Sequence, residues 1–374
     1  MRVLLVGPSW PLRGGIASTT TSLAAALAER GWLAGFCVPQ RQYPRWLYPG
    51  SEDTDEAACP RLPQAKACFS LYNPFSWGAL RREVITLAPE AVVVPHWTVA
   101  WVPLELFLTR LGLPVFGVVH NPFDHSGSPW SRWLSPAVLK RFRGFLVHAR
   151  TVAWQLARWF PGKPLRLHPL PPPPVSPVAR GQARAVLGIP GEAVVFLFFG
   201  LIRPYKGLDV LLEAVKLLPR GEPWMLAVAG EVWGDKRELV RRLEDLAIRG
   251  RVVLHDRWVP EEETRLWFSA ADVVVLPYRR ATGSAVAAQA FAYGLPVVAS
   301  RTGGLLDVVE EGVNGLLVEP GDPVGLARAL EATLDPEKRR LLRAGAWATG
   351  ARWTWSSYAS ALGELIGEGL GSGS

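Results

Sequence analysis

Cysteine is scarce in this sequence. The 374 residues hold three, Cys37, Cys59 and Cys68, which form neither an even disulfide set nor a CxxC pair. That argues against a disulfide scaffold and a structural zinc, and predicts a reducing, cytoplasmic setting. Charge is thin as well: charged residues make up 20% of the chain against 49% apolar, which excludes a disordered polymer. No apolar run suits a bilayer span. The nearest, 91–108, contains Pro95, His96, Pro103 and Glu105 and reads as a strand, a loop and a helix. Val3 to Val6 is too short for the core of a secretory signal and reads as a first strand. The loop after it lacks the order GxGxxG, so a dehydrogenase fingerprint fails.

What is present is apolar residue in quantity, 17 Trp, and a basic excess of 41 over 33. A net charge of +8 favours a polyanionic partner: a nucleotide, a nucleic acid or an anionic membrane face. No nucleic-acid motif accompanies the charge.

The length suggests two domains. Short β-rich runs alternate with helical patterns: Val3 to Val6, a helix from Thr19 to Arg30, Ala91 to Val94, Val115 to Val119 and Gly144 to Val147. This is the pattern of a doubly wound α/β domain. A proline-dense stretch, His168 to Pro174, can continue neither a helix nor a central strand and marks a boundary. The alternation then resumes with Val194 to Phe199, Met225 to Ala229, Val252 to His255, Val273 to Leu276 and Pro296 to Ala299. The expected division is 1–172 and 173–352, with a helix over 353–368 completing the first domain; Trp347 to Gly367 reads as helical. The final Gly-Leu-Gly-Ser-Gly-Ser reads as flexible. Ligands of such sheets lie beyond the carboxyl ends of the strands, so two such domains are expected to face each other across a cleft.

Four strand ends carry candidate chemistry. In the first, Gly14-Gly15 leads into a helix with Ser18 to Thr21 near its start, which suits an anion; a plain tight turn reads equally well. In the second, Gly200-Leu201-Ile202-Arg203-Pro204-Tyr205-Lys206-Gly207 places two cations three positions apart near a helix start. A guanidinium fork and a point-charge ammonium fit a diphosphate, and could stabilise it as a leaving group without magnesium; the plainer alternative is a solvated basic turn. The third is His120, at the end of its strand, able to bond a sugar hydroxyl or carry a proton. His96, His148 and His168 occupy similar positions, and most such histidines are structural. In the fourth, Thr282-Gly283-Ser284-Ala285 opens a helix, either as an anion cradle or as an ordinary N-cap.

These sites, in this order, resemble family 4 of the retaining glycosyltransferases over nearly the whole chain. The carrying pieces are the Gly14-Gly15 loop, Gly200-x-x-Arg203-x-x-Lys206-Gly207, Ala270 to Tyr278, and Ala292 to Ser300 followed by Gly303-Gly304 and Asn314-Gly315. The resemblance implies the GT-B fold, two facing Rossmann-like doubly wound domains with an interdomain cleft. It implies transfer of a sugar from a nucleoside diphosphate, UDP- or GDP-linked, with no cofactor and no metal. Arg203 and Lys206 match the diphosphate-binding pair, His120 the histidine beside the transferred sugar, and Gly15 the loop that closes on the donor. The catalytic set so implied is His120, Arg203 and Lys206; the donor-binding set is Gly14, Gly15, Arg203, Lys206, Glu231, Trp258, Thr282, Gly283, Ser284, Ala285 and Gln289. Family members typically carry two glutamates seven residues apart in the fourth site, where this chain has Ala281 and Gln289. Gln289 could still hold ribose hydroxyls through its amide, whereas Ala281 cannot touch the sugar; Thr282 and Ser284 could take over.

The acceptor implied is a carbohydrate or a lipid-linked molecule in cell-envelope, exopolysaccharide or glycolipid synthesis. Arg and Trp cluster at Arg41 to Trp46, Trp130 to Arg143 and Trp154 to Trp159, a mixture suited to an anionic membrane face and a peripheral location on it; core tryptophans with solvated arginines would look the same. Two other functions fit the pattern: a sugar-nucleotide epimerase, which the missing glutamates disfavour, and a non-catalytic sugar-nucleotide binder.

Overall fold

The computed structural model describes residues 1–41, 54, 62, 65–123, 130–233, 236–243, 248 and 250–371. Cys59 and residues 42–46 of the first Arg and Trp cluster lie outside them. The chain forms two compact units, Met1–Pro169 with Thr354–Ser374, and Leu170–Trp353. The first break falls three residues before the expected 172. His168 is still held by the first unit: its amide donates to Val147 O at 2.9 Å and its Nε2 lies 2.9 Å from Ser357 Oγ.

The first unit runs β1 (Val3–Val6), α1 (Gly15–Glu29), β2 (Leu33–Pro39), β3 (Ala65–Phe69), α2 (Gly78–Leu87), β4 (Ala91–His96), α3 (Val102–Leu108), β5 (Val115–Val119), α4 (Ser131–Leu139), β6 (Gly144–Val147), α5 (Arg150–Trp159) and β7 (Leu165–Leu167). Its seven strands are parallel in the order β3-β2-β1-β4-β5-β6-β7. The central strands are buried along their whole length, which is why they read as unbroken Val and Leu runs rather than alternating ones. Helix α1 begins four residues earlier than expected. Gly14 takes φ 117°, open to glycine, and caps it. Thr19, Thr20 and Thr21 then sit inside the helix, each hydroxyl donating to the carbonyl four residues back at 2.7 Å.

The second unit runs α6 (Arg180–Leu187), β8 (Val194–Phe199), α7 (Leu208–Val215), β9 (Trp224–Ala229), α8 (Lys236–Leu243), β10 (Val252–His255), α9 (Glu261–Ala270), β11 (Val273–Leu276), α10 (Ala285–Ala292), β12 (Val297–Ser300), β13 (Gly315–Val318), α11 (Pro323–Ala332) and α12 (Pro336–Arg352). Its parallel order is β10-β9-β8-β11-β12-β13. In each sheet the winding reverses next to the first strand, between β1 and β4 and between β8 and β11, the places where doubly wound sheets open a crevice.

The helix expected over 347–367 is two helices. α12 ends at Arg352, Trp353 is extended, and the Thr354 hydroxyl accepts from Ser357 N at 3.1 Å to start α13 (Trp355–Gly371). α13 returns to the first unit. There Tyr358, Leu362, Leu365 and Ile366 join α1 on one face of the sheet, while α2 to α5 cover the other.

Two features of the second unit that the family resemblance includes serve the fold. Asp272, at the start of β11, pairs with the buried Arg184 at 2.6 Å and accepts from Val195 N at 2.8 Å. Asn314 is fully buried, accepting from Glu310 N and donating to Val308 O and Thr349 Oγ1. Both satisfy backbone groups that strand ends would otherwise leave unpaired. Among the described residues no helix is long and apolar enough to cross a membrane.

Candidate functional site

The densest grouping of candidate residues in the second unit lies where β8 and β11 end. β8 leaves the sheet at Gly200, and Ile202 pairs with Val232 beyond β9, so the two loops are strapped together. Arg203 follows in extended backbone, then a single 3-10 turn, Pro204–Lys206, then Gly207 and the first residue of α7. The two cations therefore occupy the turn immediately before α7, which begins at Leu208 as expected. Gly207 has φ 71°, and a methyl group on it would lie 2.0 Å from Pro277 O, so only glycine lets this turn lie against the end of β11.

Lys206 folds inward. It is 8% exposed, and its Nζ lies over the Tyr278 ring at 5.6 Å. A methyl placed on Gly200 would touch both Lys206 Nζ, at 3.2 Å, and Val286 Cγ2, at 3.8 Å. The amine thus sits beside the first turn of α10. Burial, with the Arg203 charge adding to it, pushes the Lys206 pKa down to about 7. Among the described residues no carboxylate acts on it. Arg203 lies with its guanidinium 4.3 Å from the Trp233 ring centre, and Trp233 Nε1 donates to Glu231 Oε2 at 3.1 Å. Glu231 is thus tied to the indole on which Arg203 rests.

The loop after β11 supplies the other wall. Ser284 caps α10, accepting from Ala287 N at 3.1 Å, and bonds the buried Tyr278 hydroxyl. Its hydroxyl is thus an N-cap, as the plainer reading had it, and it bonds the same Tyr278 over whose ring Lys206 lies. Gly283 and Ala285 are exposed, Thr282 and Gln289 half-buried. Ala281 packs its carbonyl against Gly303, where a side chain would collide at 1.6 Å. Arg279 donates to both Asp209 oxygens, at 2.8 and 2.6 Å, and to Pro204 O, locking this loop to the Arg203 turn. Trp258, half-buried, follows β10. Arg203, Lys206, Glu231, Trp258 and Thr282 to Ala285 thus all follow carboxyl ends of strands of one sheet, with Gln289 one turn into α10; the two cations and a helix amino terminus there fit a diphosphate.

In the first unit, Gly14 and Gly15 open α1 after β1. His96, His120, His148 and His168 stand one at the end of each of β4, β5, β6 and β7. The His120 and His148 rings meet at 4.6 Å, tilted by 49°, and His148 stacks on Tyr358 of α13 at 5.7 Å. His96 is fully buried and donates from Nδ1 to Glu105 at 2.9 Å. Burial, then the neighbouring histidines, hold His120 well below the usual histidine range, and burial pushes His148 down to about 4. The Nε2 atoms of His96, His120 and His148 are buried with no hydrogen-bond partner among the described residues.

The family model described as Glycosyltransferase Family 4 matches residues 13–173, and that described as Glycosyl transferases group 1 matches residues 193–335. The chain belongs to glycosyltransferase family 4. D-inositol 3-phosphate glycosyltransferase of Xylanimonas cellulosilytica is 42% identical over 199 residues, 51% of this chain and 46% of that one. D-inositol 3-phosphate glycosyltransferase 1 of Catenulispora acidiphila is 34% identical over 275 residues, 70% of this chain and 65% of that one. The chain thus spans about half to two thirds of the length of these relatives. Sucrose-phosphate synthase of Thermosynechococcus elongatus superposes with a TM-score of 0.79 at 20% identity, covering 100% of both chains. Anabaena HepE in complex with UDP gives 0.76 at 18% identity, over 98% of this chain and 100% of that one. Together with the two parallel sheets, these likenesses give the family 4 chain a two-domain, Rossmann-like GT-B fold.

Sequence reasoning missed three contributors to this family 4 site: Trp233 under Arg203, Tyr278 under Lys206, and the Arg279 and Asp209 clamp. Trp233 lies just beyond β9, so the strand-end rule could have found it. The clamp joins residues 70 positions apart, which no local pattern reveals.

Proposed function

We infer that the chain is a retaining, metal-independent glycosyltransferase that moves a sugar from a nucleoside diphosphate, UDP- or GDP-linked, to a hydroxyl of a carbohydrate or lipid-linked acceptor. The observation that carries this reading is the buried Lys206, on which no carboxylate acts among the described residues, beside the first turn of α10 with Arg203 in the same turn. Among the described residues neither cation is ion-paired, and a buried lysine beside a helix amino terminus, with an arginine in the same turn, suits an anion. In the reaction the bond from the anomeric carbon to the diphosphate oxygen breaks and a bond to the acceptor oxygen forms on the same face. The acceptor's proton passes to the departing diphosphate. Arg203, Lys206 and the amides opening α10 stabilise the charge that develops on that group. His120 would bond the transferred sugar through Nε2, the role the family resemblance gives it. Gln289 would hold the ribose, and Thr282 would stand in for the missing glutamate at Ala281.

A thermal-shift screen against UDP, GDP, ADP and dTDP sugars identifies the donor, since a ligand of the folded state raises its melting temperature. D-inositol 3-phosphate, named for the relatives above, is the first acceptor to assay. Arg203→Ala with Lys206→Ala should abolish transfer; unchanged turnover refutes the assignment. A second reading, a non-catalytic sugar-nucleotide binder, is favoured by Ala281 and Gln289 at the family's glutamate positions. It predicts a thermal shift with donor but neither transfer nor slow donor hydrolysis.

A further inference from the structure

Five large apolar side chains of the first unit are at least 66% exposed: Phe75 at 97%, Ile85 at 70%, Trp130 at 70%, Trp133 at 78% and Trp154 at 66%. Among the described residues of the whole chain no other large apolar side chain is as exposed. All five lie on the same helical layer. Phe75 opens the turn before α2, Ile85 is on α2, Trp130 caps α4, Trp133 is on α4 and Trp154 is on α5. The inner sides of these helices, through Leu80, Val138, Leu139, Val152 and Leu156, share one apolar layer against the sheet, so their outer sides face the same way from it. Scattered exposed apolar residues are ordinary, but a set gathered on one face is not.

Among the described residues the charge of that surface is one-sided. No Asp or Glu occurs between Asp124 and Glu192, a stretch with ten Lys or Arg that includes all of α4 and α5. On the neighbouring helices Glu105 is buried against His96, and Glu83 is paired with Lys66. Along α5, Arg150, Trp154 and Arg158 stand at i, i+4 and i+8, one above another on the solvent side. They border an open recess, with the Arg158 guanidinium over the Trp154 ring at 5.5 Å. Indole and guanidinium in alternation match the boundary of an anionic bilayer, where the ring sits at headgroup level and the cation meets phosphate.

We propose that the outer face of α2, α4 and α5 docks on an anionic lipid surface, with Trp130, Trp133 and Trp154 entering the interface and Arg132 and Arg158 on headgroup phosphates. A single-stranded nucleic acid would also use Trp and Arg, through base stacking. It leaves no use for Ile85 on the same face, which a hydrocarbon boundary accepts. This surface holds none of the residues assigned to the donor, so its failure and the failure of the transferase reading are separate results.

The test is sedimentation of the full chain with vesicles of equal parts phosphatidylglycerol and phosphatidylcholine, against phosphatidylcholine alone. The chain should pellet with the anionic vesicles and be released on moving from about 0.05 M to about 0.5 M salt, because attraction to a charged surface is screened. Arg132→Gln with Arg158→Gln should weaken binding roughly 25-fold, at roughly fivefold per cation near an anionic leaflet. Trp133→Ser with Trp154→Ser should weaken it on the order of tenfold through lost apolar burial. Both variants should keep the wild-type melting temperature and donor thermal shift, which separates lost docking from misfolding. No pelleting with anionic vesicles overturns the proposal. So do variants that bind vesicles as wild type does, or a single-stranded RNA that binds with the same variant sensitivity while vesicles do not.

Discussion

Replacing Lys206 with methionine should stabilise the second unit while removing nucleotide binding. The side chain is 8% exposed, and burial lowers its pKa from 10.5 to about 7. At about 1.4 kcal/mol per pH unit, that drop corresponds to about 5 kcal/mol of folding free energy lost to holding a charged amine out of water. The loss is fully present below pH 7, where the folded and unfolded chains both carry the proton. It is relieved as pH rises from 7 toward 10.5, because the folded form sheds its proton while the unfolded form keeps it. Methionine has similar length and no charge. The variant should therefore exceed wild type in stability by up to about 5 kcal/mol at pH 6, with the gap closing by about 1.4 kcal/mol per pH unit above 7. For a domain of this size each kcal/mol moves the melting temperature by about 2–4 °C. Scanning calorimetry of both proteins at pH 6, 7, 8 and 9, with UDP titrations alongside, reads the effect. A variant no more stable than wild type at pH 6, or a gap that widens with pH, refutes the reasoning. A bound diphosphate should return the lysine toward its ordinary pKa, so binding at pH 8 should take up protons.

Asp272→Ala strands the buried Arg184 and should destabilise by about 3–5 kcal/mol in urea unfolding, a loss below about 1 kcal/mol contradicting the role given to this pair. Gly207→Ala must open the contact with Pro277 O and should lower UDP affinity at least tenfold by calorimetry; wild-type affinity would show that the turn is not part of the site. Acidification should weaken the first unit between pH 6.5 and about 4, by about 3 kcal/mol from His148 alone, since the unfolded chain takes up protons there that the folded one refuses. His148→Phe should flatten that slope in pH-dependent denaturation, and an unchanged slope would remove His148 as its source.

The two-sheet pattern was legible because central parallel strands are buried on both faces and announce themselves as apolar runs. Val3 to Val6, Val115 to Val119, Gly144 to Val147, Val194 to Phe199, Val252 to His255 and Val273 to Leu276 have the expected bounds. The strands that went unread are weaker in sequence. β2 contains Ala34 and Gly35 and ends in Pro39; β3 is Ala-Lys-Ala-Cys-Phe; β7 is three residues at an edge; β13 opens with Gly315. β3, β7 and β13 are edge strands, which need less burial and so leave less of a pattern, while β2 is interior and was obscured by Ala34, Gly35 and Pro39. Backbone devices of the site, such as the Gly207 turn and the Ser284 cap, were visible as residue types in order. The side-chain stacking of Arg203 on Trp233 and of Lys206 on Tyr278 was not, because which residues meet across adjacent strand ends depends on sheet order, and sheet order is not local.

The return of α13 to the first unit means that the chain's opening half is finished last. Leu362, Leu365 and Ile366 fill the layer beside β1 and β4, and Arg30 reaches Ser356 O at 2.7 Å. While the ribosome is still making the middle of the protein, that layer stands open. The interior unit can close on itself as soon as its residues emerge, whereas its older neighbour waits, with a bare apolar groove, for α13.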